Sequence, residues 1–225
     1  MRTLGFVLTV LFSIQAAFSQ TITKDPGDFN KVKVYDQISA ELIPSNENKV
    51  EISGKRCKDV IVANQNGELK LAMPPSKLLK GEEIEAKIYY QELKSVDASE
   101  GGYISSQQAV NSPRLEVTAK EGAEIKLQLD VEILKVKSVT GAIVRLEGKA
   151  GDQEVSIGTG GIVEAKDLIT DRTDVSINAG GEADVNASKY VKARTKAGGE
   201  ITIYGNPENV DKKSILGGTI VEAGD

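Results

Sequence analysis

The chain has 225 residues, with 28 Lys and Arg against 33 Asp and Glu, a formal net charge of -5, and neither histidine nor tryptophan. Without imidazole there is no histidine-based zinc site, no Ser-His-Asp or Cys-His relay and no histidine general base. The mild acidity and the lack of a long basic block give no electrostatic basis for binding nucleic acid or anionic lipid.

Residues 1–19 hold Arg2, an apolar run from Leu4 to Phe12 and the small pair Ala17 and Ser19, the pattern of a secretory signal peptide cleaved after Ser19. The apolar run is too short to span a bilayer, so no transmembrane segment is expected in the mature chain. No cysteine follows the run closely enough for lipid attachment. Cys57 is the single cysteine, so the fold needs no disulfide, and a small buried thiol is the expected role. The mature chain, 20–225, reads as one domain: less regular opening coils and a cap over 20–93, then regular repeats over 94–225.

Strand-like segments open the mature chain at Val32-Lys33-Val34, Lys49-Val50-Glu51-Ile52, Val60-Ile61-Val62 and Leu69-Lys70-Leu71, with Asn66-Gly67 as a turn. Ser76 to Gly81 follows two prolines and reads as a loop, and Pro113 marks a strand edge or corner.

A repeat then takes over. Val155-Ser156-Ile157-Gly158-Thr159-Gly160-Gly161 recurs 20 residues later as Val175-Ser176-Ile177-Asn178-Ala179-Gly180-Gly181. Glycines fall at 101, 122, 141, 160, 180, 198 and 217, at intervals of 18 to 21 residues. Three places after each stands an apolar residue: Ile104, Ile125, Val144, Val163, Ala183, Ile201 and Ile220. Preceding residues such as Glu124, Glu182 and Glu200 supply the polar half of a strand alternation. Leu127, Leu146, Ala165, Val185 and Ile203 continue the apolar face, and Ser106 and Glu222 break it near the ends.

This spacing predicts an all-β parallel β-helix with coils of about 20 residues, each holding two or three short strands between glycine corners. Unit lengths vary without a strict six-residue inner repeat, which favours the right-handed form. Asn206-Pro207-Glu208 reads as one helical turn beside the last coil. Gly217 to Val221 reads as a final strand with an open edge, suited to a second copy of the chain or to an envelope partner.

Several segments together resemble the head GIN domain family, described as putative auto-transporter adhesins. They are Phe29, Val32 and Val34; Asn66-Gly67-Glu68-Leu69-Lys70-Leu71; Tyr89-Tyr90-Gln91-Glu92-Leu93; Ala98-Ser99-Glu100-Gly101; Asn178-Ala179-Gly180-Gly181; Val191-Lys192-Ala193; Gly198-Gly199-Glu200-Ile201; and Tyr204-Gly205-Asn206-Pro207. The resemblance implies a β-helical protein exported to the periplasm or cell surface of a Gram-negative bacterium. It brings no catalytic residues and no cofactor.

The leading functional expectation is a non-enzymatic, adhesin-like binding or structural module that presents its helical face to a cell-surface glycan or an envelope protein. The alternative is a polysaccharide lyase or hydrolase, since β-helices also host such enzymes. Its candidates are the ionisable cluster Asp167, Asp171, Arg172 and Asp174, with Asp184 one coil beyond Glu164. Asp167, Asp171 and Asp174 are also the candidates for calcium, which takes oxygen ligands, although they lack the spacing of a calcium loop. Tyr89, Tyr90 and Tyr103 are the candidates for stacking on sugar rings, provided that they share a face.

Overall fold

The computed structural model describes residues 21–223, so the export signal read at 1–19 lies outside the described residues. In chain order the strands are β1 (Thr21–Lys24), β2 (Lys31–Val34), β3 (Ser39–Pro44), β4 (Lys49–Ser53), β5 (Ile61–Gln65), β6 (Glu68–Ala72), β7 (Glu85–Tyr90), β8 (Ser95–Ala98) and β9 (Tyr103–Ser106). They continue as β10 (Val110–Ala119), β11 (Glu124–Val139), β12 (Ile143–Gly158), β13 (Ile162–Ile177), β14 (Glu182–Ala197), β15 (Glu200–Tyr204), β16 (Asn209–Leu216) and β17 (Thr219–Glu222). The only helical elements among the described residues are the 3-10 turns Cys57–Asp59 and Pro75–Lys77. The fold is a β-solenoid of about seven turns whose parallel strands recur about 19 residues apart.

The repeat read from the glycines is the coil. Ile104, Ile125, Val144, Val163, Ala183, Ile201 and Ile220 pair in register from strand to strand, forming one column. All but Ile220, which is partly buried, are at most 1% exposed. Each fully buried Ile or Val of the column contributes about 1.5–3 kcal/mol on burial, and the surface that hides it belongs to the neighbouring coils, so the coils stabilise one another.

At one corner the chain turns through two residues of positive φ. Glu121 and Gly122 (φ 55° and 70°) are followed one coil later by Thr140 and Gly141 (56° and 70°). A left-handed pair reverses the strand tightly, and glycine adopts it without the steric cost of a Cβ. The amide of each such glycine donates to the turn above: Gly122 to Thr140, Gly141 to Thr159, Gly160 to Ala179, Gly180 to Ala197 and Gly198 to Leu216, at 3.0–3.3 Å. The next position is tight for a different reason: a Cβ on Gly161 would lie 2.3 Å from the Ser138 carbonyl oxygen.

The other corner carries no break. β11 to β14 each run for 16 residues, where the sequence pattern anticipates short strands. In β11 the buried positions are Ile125, Leu127, Leu129 and Val131, then Leu134, Val136 and Ser138. Alternation therefore slips by one at Glu132–Ile133, where two successive side chains face outward. The slip recurs at Gly151–Asp152 and Asp171–Arg172. Val131 pairs with Ala150 and Ile133 with Asp152, so the β11–β12 ladder runs through the bend, whereas between β13 and β14 the register shifts at the bend, from Thr170–Ala187 to Arg172–Tyr190.

The opening segment belongs to the same stack. β2 lies parallel between β6 and β8, and β3 parallel between β7 and β9. Antiparallel strands close this end, with β4 on β7, β1 on β4, and β5 on β6 through the Asn66–Gly67 turn. Buried Asp36 accepts the amides of Met73 (2.8 Å) and Leu79 (3.0 Å), tying the 76–81 loop to the stack. Ser106, which interrupts the apolar face, is an ordered inward position, its hydroxyl accepting the Gln128 amide at 3.1 Å.

One expectation changes at the far end. Asn206-Pro207-Glu208 makes no helical turn: Gly205 and Asn206 stand at φ 86° and 48°, outside helical backbone, and the segment is a loop between β15 and β16. The last coil therefore gains no helical cover from these residues, and Ile215, Leu216 and Val221 are 59%, 75% and 42% exposed. An ion pair between Lys212 and Glu222 crosses its surface.

Candidate functional site

Stacking in register brings charges of successive coils side by side, and most of the acidic cluster is neutralised this way. Lys189 holds Asp171 at 2.9 Å and lowers its carboxyl from the ordinary aspartate range, and Lys192 holds Asp174 at 2.5 Å, where the carboxylate raises the lysine. Lys135 and Glu154 pair at 3.1 Å. Asp167 sits at a bulge opposite Glu147 and lines a groove of about 300 Å³ with Arg145, Lys166 and Asp184. Arg145 bridges Glu124 and Glu164, the latter at 2.8 Å. Asp184 is pushed up, first by burial and then by Glu164 and Glu200. Asp167, Asp171 and Asp174 are not gathered, and no group of three metal-binding side chains occurs among the described residues.

Arg172, the fourth member of that cluster, has a different setting. The corner slip aligns Arg114, Ile133, Asp152, Arg172, Tyr190 and Asn209 as an outward ladder, one residue from each coil. At about 4.8 Å per strand the ladder is roughly 24 Å long. Neither Asp152 nor Arg172 makes an ion pair among the described residues, and Tyr190 is 37% exposed. Together with Ile133 they line a groove of about 290 Å³.

The corner is supported from inside. Gln153 is buried behind Asp152 and accepts the Thr173 hydroxyl at 3.1 Å; Thr173 meets Thr170 at 2.9 Å, and Thr170 donates to the Asn186 carbonyl at 2.7 Å. This polar thread ties three coils together immediately beneath the exposed ladder.

The three tyrosines singled out from sequence do not form a platform. Tyr89 faces outward, its hydroxyl donating to Glu51 at 3.1 Å and Lys49 standing 4.3 Å over its ring. Tyr90 points into the core with a buried, unpartnered hydroxyl, and burial pushes its pKa up to about 12. Tyr103 pairs with Ser39, whereas Tyr89 pairs with Ile43, four residues further along β3. Tyr190 is the aromatic residue that stands beside free polar groups. Its signal in the sequence was its place 18 residues after Arg172, one coil on.

A guanidinium with planar donors, a carboxylate acceptor and an aromatic face in a shallow groove are suited to ligands that present hydroxyl groups around an apolar ring. By fold and site the protein is a β-solenoid with a groove on a lateral corner lined by unpaired Asp152 and Arg172 and by exposed Tyr190. The chain belongs to the family described as "Putative auto-transporter adhesin, head GIN domain", whose model matches residues 28–207. No curated protein matches it.

Among solved structures, a putative adhesin from Bacteroides fragilis is similar at 20% identity and a TM-score of 0.84, covering 92% of this chain and 98% of its own. A putative lipid binding protein from Parabacteroides distasonis is similar at 16% identity and 0.71, covering 92% and 98%. A putative adhesin from Parabacteroides merdae is similar at 18% and 0.67, covering 92% and 97%. At these identities the likeness establishes the fold.

Proposed function

We propose that this protein is a non-catalytic, adhesin-like binding module, exported by way of residues 1–19 to the periplasm or cell surface of a Gram-negative bacterium, with 20–225 as one domain. Its ligand-contacting surface is the corner ladder, and the ligand is a glycan of the cell envelope. The observation that carries the reading is the pairing pattern: Asp171, Asp174 and Glu154 are engaged by lysines of adjacent coils, while Asp152 and Arg172 remain free beside exposed Tyr190. The family description and the structures named as adhesins support a surface role. No helix among the described residues is long and apolar enough to cross a membrane.

The bare last coil adds a contact with a second copy, which light scattering reads as a dimer or larger species. The test of function is a glycan array probed with the mature protein, followed by incubation of each retained glycan and analysis of its length. Retention with unchanged length is the expected result. Shortened or unsaturated products, lost in Asp171→Asn or Arg172→Ala, would replace the binding module by the lyase or hydrolase reading.

A further inference from the structure

A third groove, of about 390 Å³, lies where β10 outruns its neighbour. β8 begins only at Ser95, whereas β10 starts at Val110, and the two pair only from Glu116 onward. Before that point the chain leaves β10, with the Lys94 amide donating to the Asn30 carbonyl at 2.7 Å. The notch that remains beside the first half of β10 is lined by Lys31, Lys94, Arg114, Ser95 and Glu116 together with the Ser112–Pro113 backbone step.

None of these three cations lies in an ion pair among the described residues, although other lysines of the same sheet do: Lys33 with Glu68, Lys120 with Asp97, and Lys135 with Glu154, each at 3.1 Å. Three positive groups and one carboxylate leave the groove with an excess of two positive charges in a chain whose net charge is -5. Like charges held around one concavity repel, and an anion placed among them relieves that repulsion while gaining charge-assisted hydrogen bonds. The sequence hides this patch because its members lie on three separate strands or their flanks.

We propose that this groove binds a carboxylate group of an acidic glycan, with Arg114 and Lys94 as its principal contacts. Arg114 also begins the corner ladder, three strand steps, or roughly 14 Å, from Arg172, so a chain of a few sugar rings spans both grooves. The assignment of a glycan rests on the function proposed above; the anion site rests on the cations alone.

The experiment is titration of the mature protein with galacturonic acid oligomers, with neutral glucose oligomers and with vesicles of phosphatidylglycerol, for the parent, Lys94→Gln/Arg114→Gln and Tyr190→Ala. All three substituted positions are exposed, and equal melting temperatures establish that the variants fold. The expected result is galacturonate binding that weakens with added salt and falls about tenfold or more in Lys94→Gln/Arg114→Gln, by a larger factor than any neutral-oligomer binding falls in that variant. Binding of neutral oligomers alone, sensitive to Tyr190→Ala, overturns the acidic-ligand assignment and leaves the corner reading standing. Retention of neither glycan overturns both. Vesicle binding lost in Lys94→Gln/Arg114→Gln, without galacturonate binding, makes the anion a lipid headgroup and overturns the glycan. Equal galacturonate affinity in parent and variant removes the groove from the site.

Discussion

Val163→Asp tests the coil register where it is most constrained. Val163 is fully buried, between Val144 of the coil before and Ala183 of the coil after. Removing the valine forfeits about 1.5–3 kcal/mol of apolar burial. The new carboxyl faces apolar neighbours and folds in its neutral form; a rise of about three pKa units, usual for a buried acid, costs about 4 kcal/mol at neutral pH. The total, roughly 5–7 kcal/mol, rivals the whole stability of an ordinary domain. Because a buried acid has its folded pKa raised, the penalty is largest above that pKa and shrinks as pH falls toward the ordinary carboxyl range. The assay is urea unfolding followed by circular dichroism at about pH 7 and about pH 4, with exposed Glu182→Lys as the control, expected within about 0.5 kcal/mol of the parent. Equal midpoints for Val163→Asp and the parent at neutral pH would refute the register.

The two positions of the glycine turn separate by the same measurement. Gly160→Asn is expected to cost under about 1 kcal/mol, since a Cβ there meets nothing within 4 Å and asparagine tolerates the φ of 71°, as Asn66 does at 53°. Gly161→Ala is expected to lose more than about 2 kcal/mol, because its Cβ would collide with the Ser138 carbonyl. Tyr90→Phe removes a buried hydroxyl that has no partner, so its melting temperature is expected to equal or exceed that of the parent; a clear drop would mean that the hydroxyl is bonded.

Glycine made the first corner legible from sequence, because only a left-handed pair of residues reverses the strand there, and the column from Ile104 to Ile220 follows from counting onward from it. The second corner had no such mark. Glu132–Ile133 and Asp171–Arg172 are ordinary strand residues whose bend arises from a one-place slip in alternation, enforced by coils on both sides. That slip turns Arg172 and Tyr190 outward into one ladder, so the candidate site was hidden together with its corner. Tyr90 was readable as a core residue from the alternation of Ala86 and Ile88, but the adjacent pair of tyrosines suggested a surface instead. The loop at Asn206 carried helix-start residues, yet its left-handed backbone conformation serves the return from β15 to β16.

The most direct test of the corner as the contact surface is a saturation curve for the glycan best retained on the array, measured with the parent, Glu182→Lys and the double variant Arg172→Ala/Tyr190→Ala. Both ladder residues are surface groups, so the three proteins should melt together. The expected result is an affinity at least about tenfold weaker in the double variant, or about 1.4 kcal/mol, with Glu182→Lys unchanged; equal affinity in all three would contradict it.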